Sequence, residues 1–469
     1  MAKKRRKGKE RFAGFLRVFL LAGLLAAVSG CGKSDQSADR SADESAVDNH
    51  GVDEADMEVN GRTPNGEAQD SPGAAMADAE KQGAAAVTDF GLRLLQQCVG
   101  DTGTVSAAEQ EAADREGQQE SENPVVSPLS VLSALNMAAY GAEGETLKQM
   151  EEAFGITVPE LSAYLSARGG AWGDGKCKLN MANGIWFTED ESFTVEEDFL
   201  KECASLFDAE VRRVPFQDKT LQEINDWVKE KTQGMIPEIL DRISPDAVMY
   251  LVNALAFEGE WEEIYREDQV REGEFTRADG TVQQVEMMYS QENQYLQDEH
   301  ASGFLKYYAG RKYAYAALLP EEGMDAAEYL LSLDGERLCR ILANPVEAHV
   351  QAWIPRYESS YSAELGDILQ NMGIRDGFDS SRADFSGIGH SANGNIFISR
   401  VLHKSYIAVD EKGTKAGAAT AVMMEGSGAM MEDEIRSVYL DRPFVYMIID
   451  CESGVPVFMG ILNQAGREE

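Results

Sequence analysis

Five histidines, His50, His300, His349, His390 and His403, are where acid-base chemistry would be sought first, and none sits in a pattern that performs it. The chain has no HExxH, no GxSxG elbow, no GxxxxGK[ST] loop and no GxGxxG after a strand. Gly426-Ser427-Gly428 comes nearest to a serine elbow, but it lies in a soft stretch of small residues and reads as a polar kink. Paired carboxylates such as Glu321-Glu322 and Glu432-Asp433-Glu434 read as solvated faces in so acidic a chain. His403, alone in an apolar run, reads as a hydrogen-bonded core residue. The expectation is a protein that is not an enzyme, with no cofactor and no metal.

The chain has 469 residues, a net charge of −38 and 43% hydrophobic residues, enough for a sizeable core. Eight basic residues between Lys3 and Arg17 precede the apolar run Val18–Ser29, which is short for a bilayer span, so residues 1–31 read as an export signal. The run ends in Val28-Ser29-Gly30-Cys31, which resembles the bacterial lipobox and implies a lipid on Cys31. An ordinary signal peptide with an incidental cysteine is the alternative. Exported and lipid-anchored, the protein would face the extracellular side or the periplasm.

Without residues 1–31, 35 basic residues face 80 acidic ones, a net charge of −45. Such a surface repels nucleic acid and anionic head groups and steers a basic protein towards it. Cys98, Cys177, Cys203, Cys339 and Cys451 show no CxxC and no zinc spacing, which excludes a disulfide framework and suggests small buried hydrophobes; a single disulfide is left open.

Residues 32–86 are poor in large apolar side chains and are expected to be a disordered acidic tether, with one folded domain over residues 87–469. Ser127 and Pro128 mark a helix start and Gly141 its end. Strand-type runs (LNMANGIWF, VMYLVNALAF, YAYAALLP, HVQAWIP, FISRVLHKSYIAV, PFVYMIID, VPVFMGIL) mix irregularly with helical stretches (VEEDFLKECASLF, LQEINDWVKEKTQ, SAELGDILQNMG), which favours an α+β fold. The stretch from Glu411 to Glu434, EKGTKAGAATAVMMEGSGAMMEDE, suits neither a helix nor a core. Laid out as a strand, Thr414, Ala416, Ala418, Thr420, Val422 and Met424 share one small or apolar face, and the charges of Lys415 and Glu425 fall on the other.

VDEKGTKAGAATAV (Val409 to Val422) resembles the hinge of the serpins, a family of serine- and cysteine-protease inhibitors. The likeness runs from about Val87 to the C-terminus in family order: NPVVSPLSVLSALNMAAY, LVNALAFEGEW, ADFSGI, ISRVLHKSYIAVDEKGT, RPFVYMIID and VPVFMGIL. It implies a serpin fold, with a large central mixed or antiparallel sheet, surrounding helices and an exposed reactive-centre loop at about 411–434. The implied activity is suicide inhibition: a protease forms an acyl-enzyme with the loop, and the cut loop inserts into the sheet. Roughly fifteen residues at about 3.3 Å each would carry the protease some 50 Å.

By the same resemblance Glu411, Gly413, Thr414, Ala416, Gly417, Ala418 and Ala419 form the hinge, a strand kept out of its sheet, whose small residues favour an inhibitor. Lys415 departs from the acidic residue common there, on the side expected to face solvent. Ser127, Ser130, Asn253 and His403 match the shutter, and Trp261 and Glu411 the breach where insertion starts. Counting from Glu411 puts the cut bond at Ser427-Gly428, whereas counting back from Pro443 puts it near Met431-Glu432; Met424 and Met430 are further rivals. No Lys or Arg lies between Lys415 and Arg436, so the implied targets are elastase-, chymotrypsin- or subtilisin-like serine proteases, held in a covalent 1:1 complex by a monomer. A non-inhibitory serpin, cleaved without trapping, is the alternative.

Overall fold

The computed structural model describes residues 72–101, 123–168, 176–189, 193–207, 210–243, 247, 249–392, 394–414 and 435–466. The expected export signal, Cys31 and the expected tether up to residue 71 lie outside the described residues. The tether was expected to reach residue 86, but a helix already spans Pro72–Asp101. Alanine, the best helix former, dominates its first half, and proline suits a first helical turn. Large apolar residues are not needed there for packing: Gly83 lies so close to the Tyr164 ring that a Cβ would collide with it, and Ala86 is buried.

The helix Pro128–Tyr140 begins as expected, with the Ser127 hydroxyl accepting from Ser130 N and Pro128 in the first turn. Gly141 follows it at φ −102°, so its glycine serves close approach rather than a left-handed turn. A Cβ there would strike Ile388, and Gly387 N donates to Gly141 O at 3.1 Å, which joins this helix end to the ADFSGI loop.

Seventeen strands form three sheets among the described residues. The nine-stranded sheet runs β1 (Val125–Val126), β17 (Pro456–Leu462), β16 (Phe444–Asp450), β9 (Tyr313–Pro320), β8 (Ala301–Tyr307), β7 (Val282–Gln297), β10 (Val346–Pro355) and β15 (Arg436–Tyr439), with β6 (Val270–Thr276) on β7. The six-stranded sheet runs β11 (Tyr357–Glu364), β13 (Arg400–Val409), β14 (Gly413–Thr414), β5 (Met249–Glu260), β2 (Cys177–Thr188) and β4 (Glu210–Val214). The third pairs β12 (Gly389–Ser391) with β3 (Phe193–Val195). Parallel and antiparallel pairs mix without β-α alternation, as an α+β fold requires. One stretch differs from expectation: Ser362–Glu364 of SAELGDILQNMG ends β11, and only Gly366–Asn371 is helical.

β5 is apolar on both faces because both are covered. Met249, Leu251, Leu255 and Phe257 face the main core, while Tyr250, Val252 and Ala254 face a second cluster under the helix Asp218–Lys231. Trp227 of that helix meets Trp186 of β2 edge to face at 5.9 Å and donates to Glu210 of β4. Cys98, Cys177 and Cys203 are buried, Cys339 and Cys451 are half-buried, and none of these five is in a disulfide among the described residues. Burial pushes the Cys203 thiol up to about 12, so it stays protonated.

Phe90, fully buried in the first helix, packs edge to face on Phe154 at 6.2 Å. Phe90→Ala is expected to cost about 3–5 kcal/mol, read as a lowered denaturant midpoint; an unchanged midpoint would mean that this helix is not part of the cooperative unit.

Candidate functional site at the opening of the six-stranded sheet

β5 and β13 pair directly and in parallel from Tyr250↔Arg400 to Ala256↔Tyr406. Above that point β14 separates them, with Gly413 opposite Glu260, and Thr414 opposite Gly259 on one side and Val409 on the other. The strand expected to stay out of the sheet from Glu411 onward therefore has two residues already in it. The rest of the loop, with Ala416, Gly417, Ala418, Ala419, Met424, Ser427, Gly428, Met430 and Met431, lies outside the described residues.

A tight turn returns the chain from β13 to β14. The Asp410 side chain accepts from Lys412 N at 2.8 Å and Gly413 N at 3.2 Å, and Asp410 N donates to Gly413 O. Gly413 has φ +152°, and a Cβ on it would collide with the Gly259 carbonyl, so only glycine fits.

The strand end at Trp261 clamps this turn. Trp261 N donates to Lys412 O, Trp261 Nε1 to Asp410 O and Tyr265 N to Glu411 O, each at 2.9 Å. Arg356 lies 2.9 Å from Glu286 and 3.7 Å from Glu411; the half-exposed contact with Glu411 positions more than it stabilises. Trp261 stacks on Tyr308 with centroids 4.4 Å apart. Behind them the Lys306 ammonium sits 5.4 Å from the Trp261 ring centre and 4.5 Å from that of Tyr265, paired with Glu292 at 2.9 Å. Burial works against the Lys306 charge, but Tyr265 and Glu292 outweigh it and hold the pKa above the usual lysine value.

Half-way down the closed part, Ser127, Ser130, Asn253 and His403 come together. Ser127 N donates to His403 Nε2 at 3.3 Å, which leaves the ring proton on Nδ1 to donate to Asn253 Oδ1 at 2.9 Å. Asn253 Nδ2 donates to Ser130 O at 2.7 Å and to Asn183 Oδ1 at 2.6 Å. Ser130 thus takes part through its backbone, and its own hydroxyl is buried without a partner among the described residues. Both ring nitrogens of His403 are committed, so the ring is structural rather than a base. Asn183, Tyr265, Tyr308 and Arg356 belong to this site without a motif to announce them; the one signal was a polar Asn183 inside the apolar run LNMANGIWF. No group of ligating side chains that could hold a metal occurs among the described residues.

Burial lowers the His403 pKa to about 4 from 6.5. Between those values the unfolded chain binds the proton and the fold does not, so stability falls as pH drops from 6.5 towards 4, by roughly 3 kcal/mol. Denaturant midpoints should decline over that window, and His403→Gln should flatten this part of the profile. A decline unchanged by the substitution would assign acid sensitivity to other groups.

The family model described as Serpin (serine protease inhibitor) matches residues 110–465. The leukocyte elastase inhibitor of Equus caballus is 30% identical, over 72% of this chain and 92% of its own length. An uncharacterized serpin-like protein of Thermococcus kodakarensis is 31% identical, over 72% of this chain and 80% of its own. Among solved structures, the thermophilic serpin tengpin in its native state matches with a TM-score of 0.72 and 38% identity, covering 82% of this chain and 94% of that one. With the family pattern running through the clamp, the closed strand pair and the turn that enters the loop, the chain belongs to the serpin family.

Proposed function

We propose that this protein inhibits extracellular serine proteases by forming an acyl-enzyme on its loop and then taking the cut loop into the six-stranded sheet. Serpins are in general protease inhibitors, and the observation that carries the reading is β14, already seated between β5 and β13. Insertion that continued its register would bring Ala416 opposite Phe257, Ala418 opposite Leu255, Thr420 opposite Asn253 and Val422 opposite Leu251, all on the main-core side. Ala419 and Ala421 would then fall opposite Ala254 and Val252, beneath the helix Asp218–Lys231, where bulk would obstruct entry. Lys415 would fall opposite Glu258, the carboxylate that Lys178 reaches at 3.1 Å.

On the β13 side the same register would bring Thr420 opposite His403. Thr420 would enter between Asn253 and His403, break their hydrogen bond, and offer its own hydroxyl in exchange. The bait has no basic residue, which favours elastase-, chymotrypsin- or subtilisin-like proteases cutting at Ser427-Gly428, with Met424, Met430 and Met431 as rival positions. The acidic surface suits a cationic target. Exported and held to the envelope through lipid on Cys31, the protein would act as a monomer in a 1:1 complex.

Incubation with elastase followed by a denaturing gel tests the mechanism. A surviving covalent complex is the expected result, and the mass of the released fragment identifies the cut bond. Cleavage with only a small loss of mass would sink inhibition and leave a non-inhibitory binding protein. Thr414 is fully buried, so Thr414→Arg should convert the inhibitor into a substrate, lowering complex yield at least tenfold while the fold persists.

A further inference from the structure

We propose that Tyr308 is a positioning residue for loop insertion, its hydroxyl holding Thr414 in the sheet before the loop is cut. This rests on the inhibitory reading above and names the residue that decides where insertion starts. The Tyr308 hydroxyl lies 2.7 Å from Thr414 Oγ1, and both residues are fully buried. Among the described residues each hydroxyl has only the other as partner.

The ring cannot easily move that hydroxyl. It is stacked on Trp261 at 16° between planes and meets Phe257 edge to face at 4.9 Å. Tyr308 N donates to Tyr313 O at 3.0 Å, and Tyr308 forms a bridge with Trp261 across the sheet corner. The Trp261 that fixes the ring is the residue whose N and Nε1 hold the hinge turn. Turn and anchor therefore share one rigid support, with the anchor aimed at the first residue past the glycine.

The consequence is kinetic. Trapping needs the cut loop to enter the sheet before the acyl-enzyme is hydrolysed. A residue already desolvated and paired on both sides removes the slow first step, as a preformed nucleus does for a helix. Losing one hydroxyl leaves its partner buried without a hydrogen bond, which favours expulsion of Thr414. Losing both leaves two apolar groups of the same shape and no orphan.

The test is a double-mutant cycle of Tyr308→Phe and Thr414→Val in the full chain, with two readouts. The first is amide exchange of the segment 410–414. The second is the rate at which protein cut in its loop by limited proteolysis gains heat resistance, which requires insertion but no trapping. Each single variant should speed exchange and slow insertion by roughly tenfold or more, and the double variant should return towards the parent.

A purely structural tyrosine predicts another pattern: exchange in Tyr308→Phe equal to the parent, or single effects that simply multiply in the double variant. Either result overturns the proposal. If the parent traps no protease, the inhibitory reading fails on the gel, while the exchange cycle still decides whether Tyr308 seats Thr414.

Discussion

One side-chain hydrogen bond, from His403 Nδ1 to Asn253 Oδ1, crosses the pair of strands on which the rest of the structure turns. β5 and β13 are neighbours in a parallel ladder; β5 is buried on both faces and β13 on the face towards the main core, yet the proposed insertion would require them to separate. Parallel pairing is slightly less stable per residue than antiparallel pairing. β14 pairs antiparallel with both strands, so each residue of loop that follows it would replace one parallel contact by two antiparallel ones. On the proposed mechanism, strand orientation would give insertion its direction, and the polar cluster at His403 would hold the closed pair until then.

The top of the sheet solves a different problem. An opening between two buried strands exposes backbone groups that need partners. Here the turn Asp410–Gly413 supplies some of them and the Trp261–Tyr265 segment supplies the others. Aromatic rings form the floor, and the Lys306–Glu292 pair lies beneath them. Breaking such a buried pair by removing one partner is costly, so the charge fixes the rings more than it adds net stability.

Strands apolar on both faces, such as β5, β16 and β17, were legible because each is a continuous run of strand formers. β6 and most of β7 were not: VREGEFT and VQQVEMMYSQENQYLQ carry glutamates and glutamines on faces that stay at least partly exposed, so neither alternation nor an apolar run marks them. The helix from Pro72 was hidden for a related reason, since it packs through alanine and glycine rather than large side chains. In the site, His403 stood out as a polar residue in an apolar run, and Asn253 was reached only through the family resemblance. Arg356, Lys306 and Tyr308 look like ordinary strand-end residues until the chain is folded.

The alternation of small residues after Gly413 is a local property, and the sequence by itself determined which face of that segment could be buried. The same holds for the absence of Lys and Arg between Lys415 and Arg436 and for the missing catalytic motifs. Only the tertiary structure decided that the sheet already holds Gly413 and Thr414, and that the hydroxyl waiting for Thr414 belongs to a tyrosine 106 residues away. The physical reason is that strand register across a sheet, and the aromatic stack that aims one side chain, are set by packing among distant segments, which no local pattern encodes.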